Sequence, residues 1–176
     1  MSEYIAPLRD MQFALKELAG LEQVAQLQGC EEATPDLVDA VLEEAAKFAE
    51  GVLSPLNWSG DQEGARWHDK AVTMPAGFKE AYKLFADSGW TALAAESEWG
   101  GQGLPKVVSA AVNEMWKSAN HSFSLCPLLT AGAIEALSLC GSDEQKHLYL
   151  DKLVSGEWTG TMNLTESQAG SDLAAV

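Results

Sequence analysis

Apolar side chains recur at helical spacing in one segment after another of this 176-residue sequence, and β-like patterning is concentrated at its end. That order restricts the chain to a helical body followed by β structure. Leu8, Met11, Leu15 and Leu18 form the first stripe, within a helix predicted over 5–21 with Pro7 near its first turn. Thr34-Pro35 opens a second helix as N-cap and first helical residue. Its Val38, Val41, Leu42, Ala45, Phe48, Ala49 and Val52 share a face until Ser54-Pro55 is expected to stop it. Residues 57–73 lose periodicity and carry the turn dipeptides Gly60-Asp61 and Glu63-Gly64, which predicts a surface loop. Pro75 starts a helix bearing Phe78, Ala81, Tyr82 and Phe85, closed by Ser88-Gly89.

Trp90 to Ala95 reads as extended and buried, leading into the Gly-rich bend Glu98-Trp99-Gly100-Gly101-Gln102-Gly103-Leu104-Pro105. The helix after it, about 105–119, places Val108, Ala111, Val112, Met115, Trp116 and Ala119 at helical spacing. A longer one, roughly Phe123 to Leu139, is apolar on more than one face, which predicts a position inside the bundle; Pro127 is either in its first turn or kinks it. Ser142-Asp143-Glu144-Gln145 is a capping box opening the helix of Leu148, Leu150 and Leu153.

The terminal stretch from Gly156 to Asp172 reads as a strand, Trp158 to Thr165, running into a small polar turn. Such a turn offers backbone N–H groups around Gly170 and the hydroxyls of Thr165 and Ser171, a set suited to a phosphate-bearing ligand. An ordinary Gly-Ser-Asp turn is the plainer alternative.

Charge narrows the partners. Eleven Lys and Arg stand against 26 Asp and Glu, a formal net charge of −15, so nucleic acid and anionic lipid are repelled. An anionic ligand would need local neutral donors. No run of about 18 uninterrupted apolar residues predicts a membrane span, and Met1-Ser2-Glu3-Tyr4 has neither basic n-region nor apolar h-region, which predicts a cytoplasmic location. Cys30, Cys126 and Cys140 fit reduced thiols, and neither they nor His68, His121 and His147 show metal spacing. A G-x-S-x-G elbow is absent, and Gly100-Gly101-Gln102-Gly103 lacks dinucleotide-fingerprint spacing, so it reads as a packing turn.

Four motifs then occur in a recognisable order: Gly89-Trp90-Thr91-Ala92-Leu93, the Glu98 to Pro105 bend, Gly141-Ser142-Asp143-Glu144-Gln145-Lys146, and Leu164-Thr165-Glu166-Ser167-Gln168-Ala169-Gly170-Ser171-Asp172. Together they resemble the acyl-CoA dehydrogenases over residues 75–176. Tyr4-Ile5-Ala6-Pro7-Leu8-Arg9-Asp10-Met11 and the Gly156 to Glu166 run resemble the larger branch with an added N-terminal helix, which includes enzymes oxidising methylmercaptopropionyl-CoA.

The resemblance implies a mainly α fold: the N-terminal helical bundle domain of these enzymes, plus the first strand of a truncated β domain. The corresponding divisions are 1–30 as an extension helix, 31–156 as the helical domain and 157–176 as the start of the β domain. It also implies FAD as cofactor, an acyl-CoA substrate desaturated at Cα–Cβ, an electron-transfer flavoprotein as acceptor, and a homo-oligomer in the complete enzyme. In the family a glutamate takes the α-proton while the β-hydrogen leaves as hydride to the flavin; protein groups orient the thioester and exclude water.

By the same resemblance, Met162, Leu164 and Thr165 match flavin-lining positions, and Gly170 and Ser171 match the pyrophosphate turn, with Ser171 also near the CoA side. Ser124, Leu125 and Leu128 match the acyl end of the pocket, or equally an ordinary helix start and core contacts. Two departures stand out. Ser167 replaces the usual proline, releasing chain entropy worth roughly 0.4–1 kcal/mol, and Glu96-Ser97-Glu98 replaces Pro-Glu-Glu. No acid in the sequence matches the catalytic base, which is expected beyond Val176, leaving two readings: part of a flavin enzyme, or a non-catalytic helical module.

Overall fold

Trp116, 2% exposed, is the hub of the body. In the computed structural model, which describes residues 4–176, its indole meets Phe48, Phe85 and Trp90 edge-on, at ring-centroid distances of 5.4, 5.7 and 5.2 Å. Edge-to-face packing aligns the positive ring edge with the negative face, adding to the area each ring buries. Met1, Ser2 and Glu3, on which the reading of the leader rests, lie outside the described residues.

The rings converge because the predicted helical faces form. Helix α3 (Pro35–Phe48) is capped by Thr34, whose hydroxyl accepts from Leu37 N at 3.3 Å, and buries Val38, Leu42, Ala45, Ala46 and Phe48. Helix α5 (Phe78–Asp87) contributes Phe78, Ala81 and Phe85, and α6 (Lys106–Ala119) contributes Val108, Val112, Met115, Trp116 and Ala119. Before them, α1 (Leu8–Phe13), the π turn Ala14–Leu18 that continues it and the short α2 (Leu21–Val24) place Met11, Leu15 and Leu21 in the same core, so the extension is continuous with the bundle rather than a separate layer. Its backbone is tied down as well: Tyr4 N donates to Ser54 Oγ at 3.2 Å and Ala6 N to Glu50 Oε1 at 2.9 Å.

Several elements depart from the sequence reading. Ser54-Pro55 does not end a helix: a π turn, Ala49–Leu53, carries the chain directly into α4 (Ser54–Glu63). Ser54 N donates to Ala49 O, five residues back, and this wider turn accommodates the proline ring that a regular helix would press against the carbonyl four residues earlier. Gly60 is therefore a packing glycine, not a turn: a Cβ there would lie 2.4 Å from the Phe78 ring. The rest of the expected loop is a hairpin, β1 (Arg66–His68) antiparallel to β2 (Ala71–Thr73), with Trp67 opposite Val72. Its corner residues Asp69 and Lys70 both have positive φ, 48° and 62°, the backbone of a two-residue hairpin turn made without the glycine that normally signals one.

Trp90–Ala92 is a 3-10 turn rather than extended chain, although Ala92, Leu93 and Ala95 are buried as expected. The Gly-rich bend folds back on it, with Gln102 N donating to Ala92 O at 2.8 Å, Gly103 N to Ala95 O at 2.9 Å and Leu104 N to Leu93 O at 3.0 Å.

Helix α7 (His121–Cys140) holds Pro127 in its interior, and α8 (Asp143–Val154) starts on the predicted capping box, with both reciprocal bonds present. Leu150, Leu153 and Val154 pack with Ala92, Ala95 and Ile134 in a smaller second core. Contrary to expectation α7 is not enclosed: only Phe123, Ser124, Thr130 and Ile134 are buried, because α6 and α8 cover one side of it. By length and composition alone α7 could cross a bilayer, but Lys106 pairs with Glu135 on its surface and its buried residues pack into the bundle.

The strand expected over Trp158 to Thr165 is not formed. Residues 159–165 have no regular secondary structure, since among the described residues no neighbouring strand supplies a ladder. The mainly α character holds; among the described residues β structure is limited to the hairpin and an isolated bridge between Glu166 and Ala169.

Candidate functional site

The terminal segment leaves α8 along a fixed path. Thr91 Oγ1 donates to Val154 O at 2.7 Å, Tyr82 Oη donates to Gly156 O at 3.1 Å, and Trp158 N donates to Lys152 O at 2.9 Å. Gly156 has φ +78°, and a Cβ on it would lie 2.8 Å from that of Ala86, so glycine is needed for both backbone and space. Lys152 is engaged, pairing with Glu157 at 2.8 Å and lying 4.7 Å from the centre of the Trp158 ring. Gly160 N then donates to Thr130 Oγ1 at 3.1 Å, which sets the segment against α7.

Beyond that point the candidate cofactor residues are exposed: Met162 at 65%, Leu164 at 43%, and Thr165, Gly170 and Ser171 likewise. Glu166 and Ala169 exchange both backbone bonds, at 2.9 and 3.2 Å, closing a tight turn over Ser167-Gln168. Ala169, 1% exposed, is the buried foot of that turn. Among the described residues, the backbone N–H groups of Leu164, Thr165, Gly170 and Ser171 and the hydroxyls of Thr165 and Ser171 make no hydrogen bond. A Cβ built on Gly170 would meet nothing within 4 Å, and its φ is not positive. The chain itself therefore does not require glycine there. Free donors around an open approach are what an incoming phosphate needs, so the residues present fit an FAD pyrophosphate. Glu166 and Asp172 oppose an anion in this loop, which leaves the attraction to neutral amides and hydroxyls.

The three candidate acyl-lining residues separate. Leu125 and Leu128, 46% and 40% exposed, project from the open side of α7, whereas Ser124 is 3% exposed and donates through its hydroxyl to His121 O at 2.7 Å. Next to them, the Cys126 thiol is pushed up by burial, against a smaller opposing effect of its Thr130 hydrogen bond, so it is not primed as a nucleophile.

Residues without a sequence signal hold this arrangement. Thr130 looked like one more position of an apolar helix, and Tyr82 and Thr91 like core positions. Asn120 was legible in principle as an N-cap: its Oδ1 accepts from Phe123 N at 3.0 Å while its Nδ2 donates to Leu53 O at 3.2 Å, all fully buried. Among the described residues no group of His, Cys, Asp and Glu side chains could hold a metal ion.

This helical body, closed by the capped α8, corresponds to the N-terminal domain of a class of dehydrogenases. The description "Acyl-CoA dehydrogenase, N-terminal domain" matches residues 36–157, and the chain belongs to the acyl-CoA dehydrogenase family. It is 53% identical over 173 residues to the 3-methylmercaptopropionyl-CoA dehydrogenase of Ruegeria pomeroyi, covering 98% of this chain and 29% of that protein. A butyryl-CoA dehydrogenase of Syntrophomonas wolfei is 33% identical over 177 residues, with the same 98% and 29% coverage. The solved butyryl-CoA dehydrogenase of Megasphaera elsdenii shares the fold, with a TM-score of 0.67 at 23% identity over 80% of this chain and 35% of that one. The chain thus spans about 29% of the length of the curated relatives it matches.

Proposed function

We propose that this chain forms the N-terminal part of an FAD-dependent acyl-CoA dehydrogenase and supplies one wall of its flavin and thioester site. The observation that carries the reading is the 164–171 loop, in which the amides of Leu164, Thr165, Gly170 and Ser171 and the hydroxyls of Thr165 and Ser171 are unused among the described residues and Gly170 leaves an open approach. Gly170 and Ser171 would hold the pyrophosphate, Leu164 and Thr165 the ring system, and Met162 its edge. Leu125 and Leu128 would order the acyl chain and keep water from it, while Ser171 would reach the CoA side. FAD, when bound, would accept the hydride that leaves the β-carbon during Cα–Cβ desaturation.

The proton-abstracting role belongs to no acid of this chain. Only the backbone of Glu166 is bonded in the turn with Ala169, and its exposed side chain is better explained as a solvated carboxylate. The 53% identity to a 3-methylmercaptopropionyl-CoA dehydrogenase supports a thioether-bearing short acyl-CoA as the substrate class. An electron-transfer flavoprotein as acceptor, a homo-oligomeric enzyme and a division at about residues 30 and 156 belong to the same proposal.

Flavin titration tests it. FAD is expected to bind the chain saturably, with quenching of its fluorescence, and Gly170→Val is expected to weaken binding about tenfold, ~1.4 kcal/mol. Since a Cβ at 170 touches nothing in the chain, the variant should melt like the parent. Absence of flavin binding by the parent chain would favour the helical-module reading instead.

A further inference from the structure

A threonine hydroxyl inside a helix commonly donates to the carbonyl four residues back, and Thr130 does so, to Cys126 O at 2.9 Å. What is unusual is its second bond. The same oxygen, on a residue only 2% exposed, accepts from Gly160 N, thirty residues along the chain. The approach is close: a Cβ on Gly160 would lie 2.5 Å from Ala133 Cβ and 3.4 Å from Thr130 Cα. Among the described residues no backbone–backbone bond holds the segment from Thr161 to Thr165, so this is the last anchor before the loop.

We propose that Thr130 and Gly160 are positioning residues that fix where the segment 162–171 leaves the helical body, and so set its register against α7. The inference rests on the reading of that segment as a flavin wall. The physical argument is one of length. An extended chain advances about 3.3 Å per residue, so a slip of one residue at the anchor displaces every donor beyond it by more than a hydrogen bond can follow. Thr130 lies one helical turn beyond Cys126 and little more than half a turn beyond Leu128, on the same helix α7. One bond therefore references both halves of the site to the same element.

The test compares Thr130→Val, Thr130→Ser and Gly160→Ala in the whole chain by residue-resolved amide exchange, thermal melting and FAD titration. Thr130→Val keeps the shape and removes the acceptor, so the Gly160 amide should exchange about three- to tenfold faster, the range one lost hydrogen bond allows. Exchange in α3 and α6 should not change. FAD affinity should fall severalfold in Thr130→Val and Gly160→Ala and recover in Thr130→Ser. Unchanged exchange at Gly160 in Thr130→Val would overturn the proposal, as would accelerated exchange with FAD affinity equal to the parent's. If the parent binds no FAD while Gly160 exchange responds as expected, the flavin-wall reading fails and the anchor alone stands.

Discussion

At single residues, the contacts that matter most are backbone approaches that leave no room for a side chain. Gly101 is the clearest. A Cβ there would lie 2.0 Å from Ala95 O, a backbone atom that cannot swing aside, and the bend it belongs to makes three hydrogen bonds to the 92–95 turn. Gly101→Ala should therefore cost at least about 1–3 kcal/mol, seen as a lower urea midpoint with an unchanged slope. Asn120 is the polar counterpart, joining the start of α7 to the end of the π turn. Asn120→Ala removes an N-cap and a buried side-chain bond to the Leu53 carbonyl, together about 1–3 kcal/mol in the same measurement. Asn120→Ser, which retains a capping oxygen, should recover part of the loss.

Among elements, those set by local chemistry were legible and those set by distant neighbours were not. Thr34-Pro35 and Ser142-Gln145 announce α3 and α8, because capping depends on residues within one turn. The α4 segment was hidden by Pro55 and Gly60, two residues that read as stops. The first is tolerated by the π turn and the second is explained only by Phe78, eighteen positions on. The strand over Trp158–Thr165 fails in the opposite direction: its residues favour extension, but a ladder requires a partner that propensity cannot supply. For the candidate site, the donor-rich turn was readable from composition, whereas its anchoring by Thr130 was not, since nothing in an apolar helix distinguishes a threonine with a long-range partner.

The Tyr82 bond to Gly156 adds a pH-dependent element. Burial, with a smaller effect from Cys126, raises its phenol above the ordinary value of about 10. A raised folded-state pKa means the contribution is fully present below the unfolded value and is lost as pH rises through the folded one. Alkaline melts should therefore show stability falling above about pH 10, and Tyr82→Phe should flatten that fall.

For the whole molecule, the balance lies between charge and exposed apolar surface. The chain carries −15, yet Leu125, Leu128 and Leu139 of α7 are 46%, 40% and 75% exposed. Like charge repels copies of the chain at low salt, and screening shortens that repulsion to about 8 Å at 0.15 M. Sedimentation should thus show association rising with salt and concentration, and Leu125→Glu with Leu128→Glu should suppress it. Association unchanged by these substitutions would place the sticky surface elsewhere.

The aromatic hub has an optical consequence. Trp116, 2% exposed and ringed by other aromatic side chains, should emit at short wavelength and be shielded from iodide. Trp58 and Trp67, 55% and 72% exposed, should emit to the red and be quenched readily. The two populations separate the centre of the bundle from its periphery, so the protein carries its own two-colour record of which part loosens first.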